Sequence, residues 1–140
     1  MRIYIEDCLA RSKLPLKVKR TTTIKTIQNL VEEIFKLPEN IRIYLFTNEG
    51  WKKTESGRTL EYYNIEEDMV LCSTLNPIET ERHRRKLQDS NVGLIKQEKS
   101  EGNGLIFYKK ESKGVEFIKI KEFTNKQILE YTNAGYSSGF

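Results

Sequence analysis

The sequence predicts an α+β fold in which short strands surround one amphipathic helix, followed by a C-terminal extension of different make-up. Three observations lead there. Residues 2–6 and 14–19 alternate apolar and polar side chains, the period of half-buried strands, and residues 41–46 are rich in β-branched and aromatic side chains. Ile24, Ile27, Leu30, Val31 and Ile34 recur at helical spacing. After Pro77 the chain becomes strongly charged before apolar runs return near its end.

Taken in order, residues 2–6 place Ile3 and Ile5 on one face and Tyr4 and Glu6 on the other. Residues 9–13 read as a polar turn. Leu14, Leu16 and Val18 then point inward, and Pro15 fits this second strand only at a sheet edge or with its nitrogen facing outward. The two strands form an N-terminal hairpin. Thr21, Thr22 and Thr23 offer hydroxyls for a helix N-cap, so the helix is expected over about 23–36, with Pro38 ending it because the residue before a proline is pushed out of the helical region. Residues 41–46, rich in β-branched and aromatic side chains, make a third strand that stops at the Asn48-Glu49-Gly50 turn. The apolar run 69–75 is a last strand.

Composition sets the bounds. A chain of 140 residues with 37% hydrophobic side chains supports one modest core. Its 24 Lys+Arg against 20 Asp+Glu give a mild charge of +4, unlike the concentrated field of a dedicated nucleic-acid binder. Cys8 and Cys72 belong to no CxxC or Cys/His cluster, so reduced thiols are expected rather than a zinc site or a disulfide framework. The opening residues lack the pattern of a secretory or mitochondrial signal. No apolar run approaches the roughly 20 residues that cross a bilayer. Membrane insertion and secretion are therefore not expected; the cytosol, or an assembly reached from it, nuclear and cytoskeletal or ciliary sites included, is.

The opening Met-Arg-Ile-Tyr-Ile, the Thr-Ile start of the helix, Pro38, Arg42-Ile43, Gly57-Arg58-Thr59-Leu60 and Tyr63-Asn64-Ile65 fall in one order, with spacing close to that of ubiquitin. Over residues 1–76 the chain resembles a ubiquitin-like domain. The resemblance implies a β-grasp, a mixed sheet of four to five strands over one helix. Within it Gly57, Leu60, Tyr63 and Ile65 are the fold-determining residues: Ile65 closes the core, Tyr63 packs on the loop bearing Ser56 and Gly57 with its hydroxyl on a backbone group, and Gly57 takes a backbone angle that other residues avoid.

A fold is not a function. Conjugated ubiquitin-like proteins end in Gly-Gly, whereas the aligned positions here are Glu79 and Thr80 and the chain runs on to Phe140. Tagging is therefore not expected. The apolar patch through which ubiquitin is commonly read corresponds to Leu9, Tyr44, Cys72 and Thr74, of which only Leu9 keeps the ubiquitin residue. Generic ubiquitin receptors should bind poorly. Tyr44 is read either as an aromatic anchor for another partner or as a partly exposed sheet residue with none. Trp51 is read either as an interface anchor or as a cap on the core edge beside Thr54. Cys8 and Cys72 lie on neighbouring strands in such a fold, and a redox pair between them is the less favoured reading.

Residues 77–104 read as a charged helix or linker. Arg82, Arg84 and Arg85 suit phosphate or an acidic protein surface, yet without interleaved aromatics they are a weak nucleic-acid signal. His83 has no acid, nucleophile or second ligand in an identifiable relation. In the extension, 105–140, two strand-like runs flank a turn at 111–114 and precede a short helix capped by Thr124. Its apolar residues, Phe107 and Phe117 among them, are too few for an independent core, so it must pack on the first domain or on a neighbouring protein.

The function expected is thus a non-enzymatic, non-conjugated ubiquitin-like protein, an interaction or structural subunit of a larger multiprotein assembly. No nucleophile–base pair, phosphate loop, metal cluster or cofactor motif points to catalysis. The alternatives are a processed modifier or ubiquitin–ribosomal-type fusion, and a proteasome-shuttle adaptor. The first would want a processing site and a basic cysteine-bearing tail, the second a ubiquitin-binding module.

Overall fold

A computed structural model describes residues 1–7, 12–37, 41–74, 93–110 and 116–137. The strands are β1 (Arg2–Asp7), β2 (Ser12–Lys17), β3 (Arg42–Thr47), β4 (Gly50–Lys53), β5 (Val70–Thr74), β6 (Gly93–Lys99), β7 (Leu105–Lys110) and β8 (Phe117–Phe123); the helices are α1 (Ile24–Phe35) and α2 (Asn125–Asn133). All the strands belong to one mixed sheet of order β4-β3-β5-β1-β2-β6-β7-β8.

The first five strands and α1 form an α+β unit compatible with a β-grasp-like fold, with β1 antiparallel to β2 and parallel to β5. Alternation decides which residues face α1: Ile3, Ile5, Leu14 and Leu16 lie in the core with Ile27, Leu30, Val31 and Ile34 of the helix. The helix begins where Thr23 Oγ1 accepts from Thr26 N–H at 3.3 Å. Two further N–H groups of its first turn, on Ile24 and Lys25, donate to Arg58 O and Ser56 O, each at 2.9 Å. Thus the 56–60 loop satisfies donors that a helix leaves open. The helix stops at Lys36, whose left-handed backbone (φ 53°) lets its N–H donate back to Glu32 O.

The strand count differs from expectation. Gly50–Lys53 adds β4 beyond the turn, and Gly93–Lys99, inside the stretch expected to be a helix or linker, is β6. Hence β2 is not a sheet edge. Pro15 survives there because the β2–β6 ladder covers only Ser12–Gly93 and Lys13–Leu94. Opposite Pro15, Tyr4 turns its N–H away to Met69 O at 2.9 Å, so the missing proline donor lies on the β6 side, where the ladder has already ended. Gln97 Nε2 then donates to Pro15 O at 3.0 Å in place of a backbone bond.

The extension packs on this same chain. Leu105, Phe107, Phe123, Ile128 and Tyr136 are buried in one cluster with the aliphatic core. β7 and β8 are antiparallel, with a bulge opposite Phe107 and Tyr108. The turn expected at 111–114 lies outside the described residues. α2 starts with a capping box: Thr124 Oγ1 accepts from Gln127 N–H at 3.3 Å, and Gln127 Oε1 accepts from Thr124 N–H at 2.9 Å.

Candidate functional site

α1 covers one face of the sheet, and the opposite face is the candidate interaction surface. Three regions of it, or of its margins, carry aromatic groups. At the β4 end, Phe46 and Trp51 form a cross-strand pair, T-shaped with ring centroids 5.0 Å apart. Phe46 is 56% exposed, whereas Trp51 is half-buried beneath that contact. On β1, Tyr4 lies beneath Lys13 Nζ (4.7 Å from the ring centroid) and the Arg2 guanidinium (5.5 Å). On β6–β8, Lys96 Nζ stands 4.1 Å from the Phe117 ring and 5.2 Å from that of Tyr108, and Lys110 Nζ lies 5.7 Å from Phe117.

Several expected contact residues are not surface groups. Tyr44 is only 6% exposed and Cys72 is fully buried, although both sit on the helix-free face. The small thiol of Cys72 is enclosed between the longer cross-strand neighbours Tyr44 and Glu6. Phe107 is fully buried against Phe123, centroids 5.6 Å apart, so it is a core residue and not a partner contact. The reason is alternation: Phe107 and Tyr108 are neighbours on β7, and only Tyr108 falls on the outer face. Phe117 does remain at the surface. Thr74 pairs with Arg42 at the end of β5. Leu9, Cys8, Arg82, His83, Arg84 and Arg85 lie outside the described residues.

The fold-determining residues divide. Leu60 and Ile65 are buried, and Tyr63 Oη accepts from Glu55 N–H at 2.7 Å, tying the 55–57 loop to the core. Gly57 is a correction. Its φ is not positive, and a Cβ there would meet nothing within 4 Å. The left-handed angles in this part of the chain belong instead to Asn64 (φ 54°) and Asp68 (φ 63°).

Sequence reasoning missed the groups that lock the extension in place. Tyr136, fully buried, donates its hydroxyl to Gln97 Oε1 at 3.1 Å, and its backbone bridges to Val18. Gly135 O accepts from Thr22 Oγ1 at 2.8 Å, and Ser137 N–H donates to Lys17 O at 3.0 Å. Tyr131 Oη donates to Glu33 Oε1 at 2.9 Å, joining α2 to α1. Burial first, and the Glu33 contact second, push the Tyr131 hydroxyl above its ordinary range; burial does the same to Tyr136. The one sequence signal for this clasp was the Gly135-Tyr136 pair after the short helix capped by Thr124.

A polar cleft of about 900 Å³ between α1 and the 53–56 loop is lined by Lys25, Glu32, Arg42, Lys53, Glu55 and others, with charges of both signs. Among the described residues no group of three or more His, Cys, Asp or Glu side chains gathers to hold a metal ion. No helix among them is long and apolar enough to cross a membrane. No protein-family model matches the chain, and no curated protein matches it.

Proposed function

We propose that the chain is a ubiquitin-like protein that is not conjugated, lacks enzymatic activity, and serves as an interaction or structural subunit of a larger protein assembly. One observation carries the reading. The polypeptide beyond β5 returns to the same sheet as β6, alongside β2, and its end is clasped by Tyr136 onto Gln97 and Val18. A conjugated modifier needs the segment after its last strand to extend away as a slender Gly-Gly tail; here that segment leads into three further strands. The order β4-β3-β5-β1-β2, with β1 parallel to β5, supports the ubiquitin-like part.

Partner contact is supported by what the shared core leaves out. Phe46, Ile118 and Leu129 are 56%, 59% and 53% exposed, and Phe117 joins Ile118 on the outermost strand. Affinity purification of the tagged full chain from its native cell tests the proposal. Stable co-purifying subunits in a complex larger than 16.5 kDa, with no ladder of conjugates, are expected. Recovery only as a monomer, or conjugates cleaved near Pro77, would overturn it.

A further inference from the structure

We propose that the outer face of β1, β2, β6, β7 and β8 is a binding surface for single-stranded RNA, a role beyond the protein contacts argued above. The face carries three rings on one side of one sheet, Tyr4, Tyr108 and Phe117. Register connects them: Tyr4 pairs with Pro15, Lys13 with Leu94, Lys96 with Tyr108, and Lys110 with Phe117. From β1 to β7 is three strand steps, roughly 14 Å at the usual spacing. That span suits a few unstacked nucleotides rather than one small ligand.

Cations alternate with these rings. Lys13 lies over Tyr4, as does Arg2, whose guanidinium is paired with Asp68 at 3.0 Å; Lys96 lies over both Tyr108 and Phe117, and Lys110 over Phe117. A ring beside an ammonium group offers a base a stacking platform and its phosphate a counter-charge, the pairing that single-strand binders use. The basic run at 82–86 lacked such rings; the sheet supplies them from strands distant in sequence. An acidic peptide would meet the cations but leave the rings unused. The acids of the same face favour RNA over DNA. Glu98, bonded to Lys96 at 2.9 Å, and Glu122, paired with Lys119, are balanced by those ammonium groups yet keep carboxylate lone pairs that can accept a hydrogen bond from a ribose 2′-hydroxyl.

Fluorescence anisotropy of the full chain with a labelled oligouridylate of about 12 nucleotides, at about 50 mM salt, is the test. Saturable binding is expected. The Tyr108→Ala/Phe117→Ala variant should bind at least about thirtyfold more weakly, the loss of roughly two stacked bases, with its affinity for heparin unchanged because heparin has no bases. Tyr108→Phe and Phe117→Tyr, which keep the π-face, should bind as the parent does. Lys96→Ala should lower the slope of log K against log salt by about 0.7. Any of four results overturns the proposal: no saturable binding, equal binding by the double alanine variant, equal affinity for polyglutamate, or equal affinity for oligothymidylate.

Discussion

Residues 1–74 and residues 93–137 share one sheet but are built differently. The first region buries aliphatic side chains, Ile3, Ile5, Leu14, Leu30 and Ile43 among them, beneath a helix of its own. The second buries the rings of Phe107, Phe123 and Tyr136 beside Ile95, Leu105 and Ile128, and those rings complete the core of the first: Phe107 and Phe123 lie edge to face, Phe123 meets Tyr131 at 5.7 Å, and Tyr136 reaches back to Val18. Its own helix leaves Leu129 exposed. The first region thus holds a complete sheet-and-helix sandwich, whereas the second becomes stable by adding to a surface already formed. A few large side chains at the seam therefore decide whether the second region stays folded.

The largest effect is expected from Tyr136→Ala, which empties the space of a fully buried ring and should cost about 3–5 kcal/mol. Hydrogen exchange would show β6–β8 opening before β1–β5; simultaneous opening of both would break the comparison. Gly135→Ala comes next. Its φ of +106° disfavours a side chain, and the new Cβ would stand 2.8 Å from Thr22 Oγ1, so a loss of about 1–3 kcal/mol in urea unfolding is expected.

Tyr136→Phe keeps the ring and removes only the bond to Gln97, for a loss of about 1 kcal/mol at neutral pH. At alkaline pH the tyrosines act with a definite sign. Unfolded, Tyr131 and Tyr136 ionise near pH 10; folded, both hold their protons to higher pH. The unfolded chain then binds fewer protons, so their contribution is complete below pH 10 and is lost as pH rises above it. Urea midpoints measured across that range should fall, and Tyr131→Phe or Tyr136→Phe should each flatten the fall. The smallest effect belongs to the first region's loop. Gly57→Ala should change stability by no more than about 0.5 kcal/mol, since the backbone there is ordinary and the space is open.

Much of the first region was legible because its signals are local. Alternation placed Ile3, Ile5, Leu14 and Leu16 inward, and the three- and four-residue spacing placed α1 to within a residue of each end. Thr124 likewise announced α2. β6 was not legible. Its Lys96, Gln97, Glu98 and Lys99 fell within the stretch read as a charged helix or linker, and among its described side chains only Ile95 is well buried. Its strand character comes mainly from the antiparallel ladder with β7, Leu94 opposite Lys110 to Lys99 opposite Leu105, and its place in the sheet from pairing with Ser12 and Lys13, about 80 residues earlier in the chain. Tyr44 and Phe107 failed as surface residues for a related reason: a pattern of side chains gives the two faces of a strand, and the neighbours decide how far each face is covered.

What the sequence determined by itself was the α+β class, the N-terminal hairpin, the two helices and the Gly-Gly-free continuation beyond β5. Each rests on periodicity, capping or composition within a short stretch. What only the tertiary structure decided was that the extension joins the first sheet, that Tyr136 and Gln97 hold it there, and that Tyr4, Tyr108 and Phe117 share one cation-lined face. Those are contacts between residues far apart in the chain. No local pattern encodes them, because their stability arises only when distant strands bury each other's surfaces.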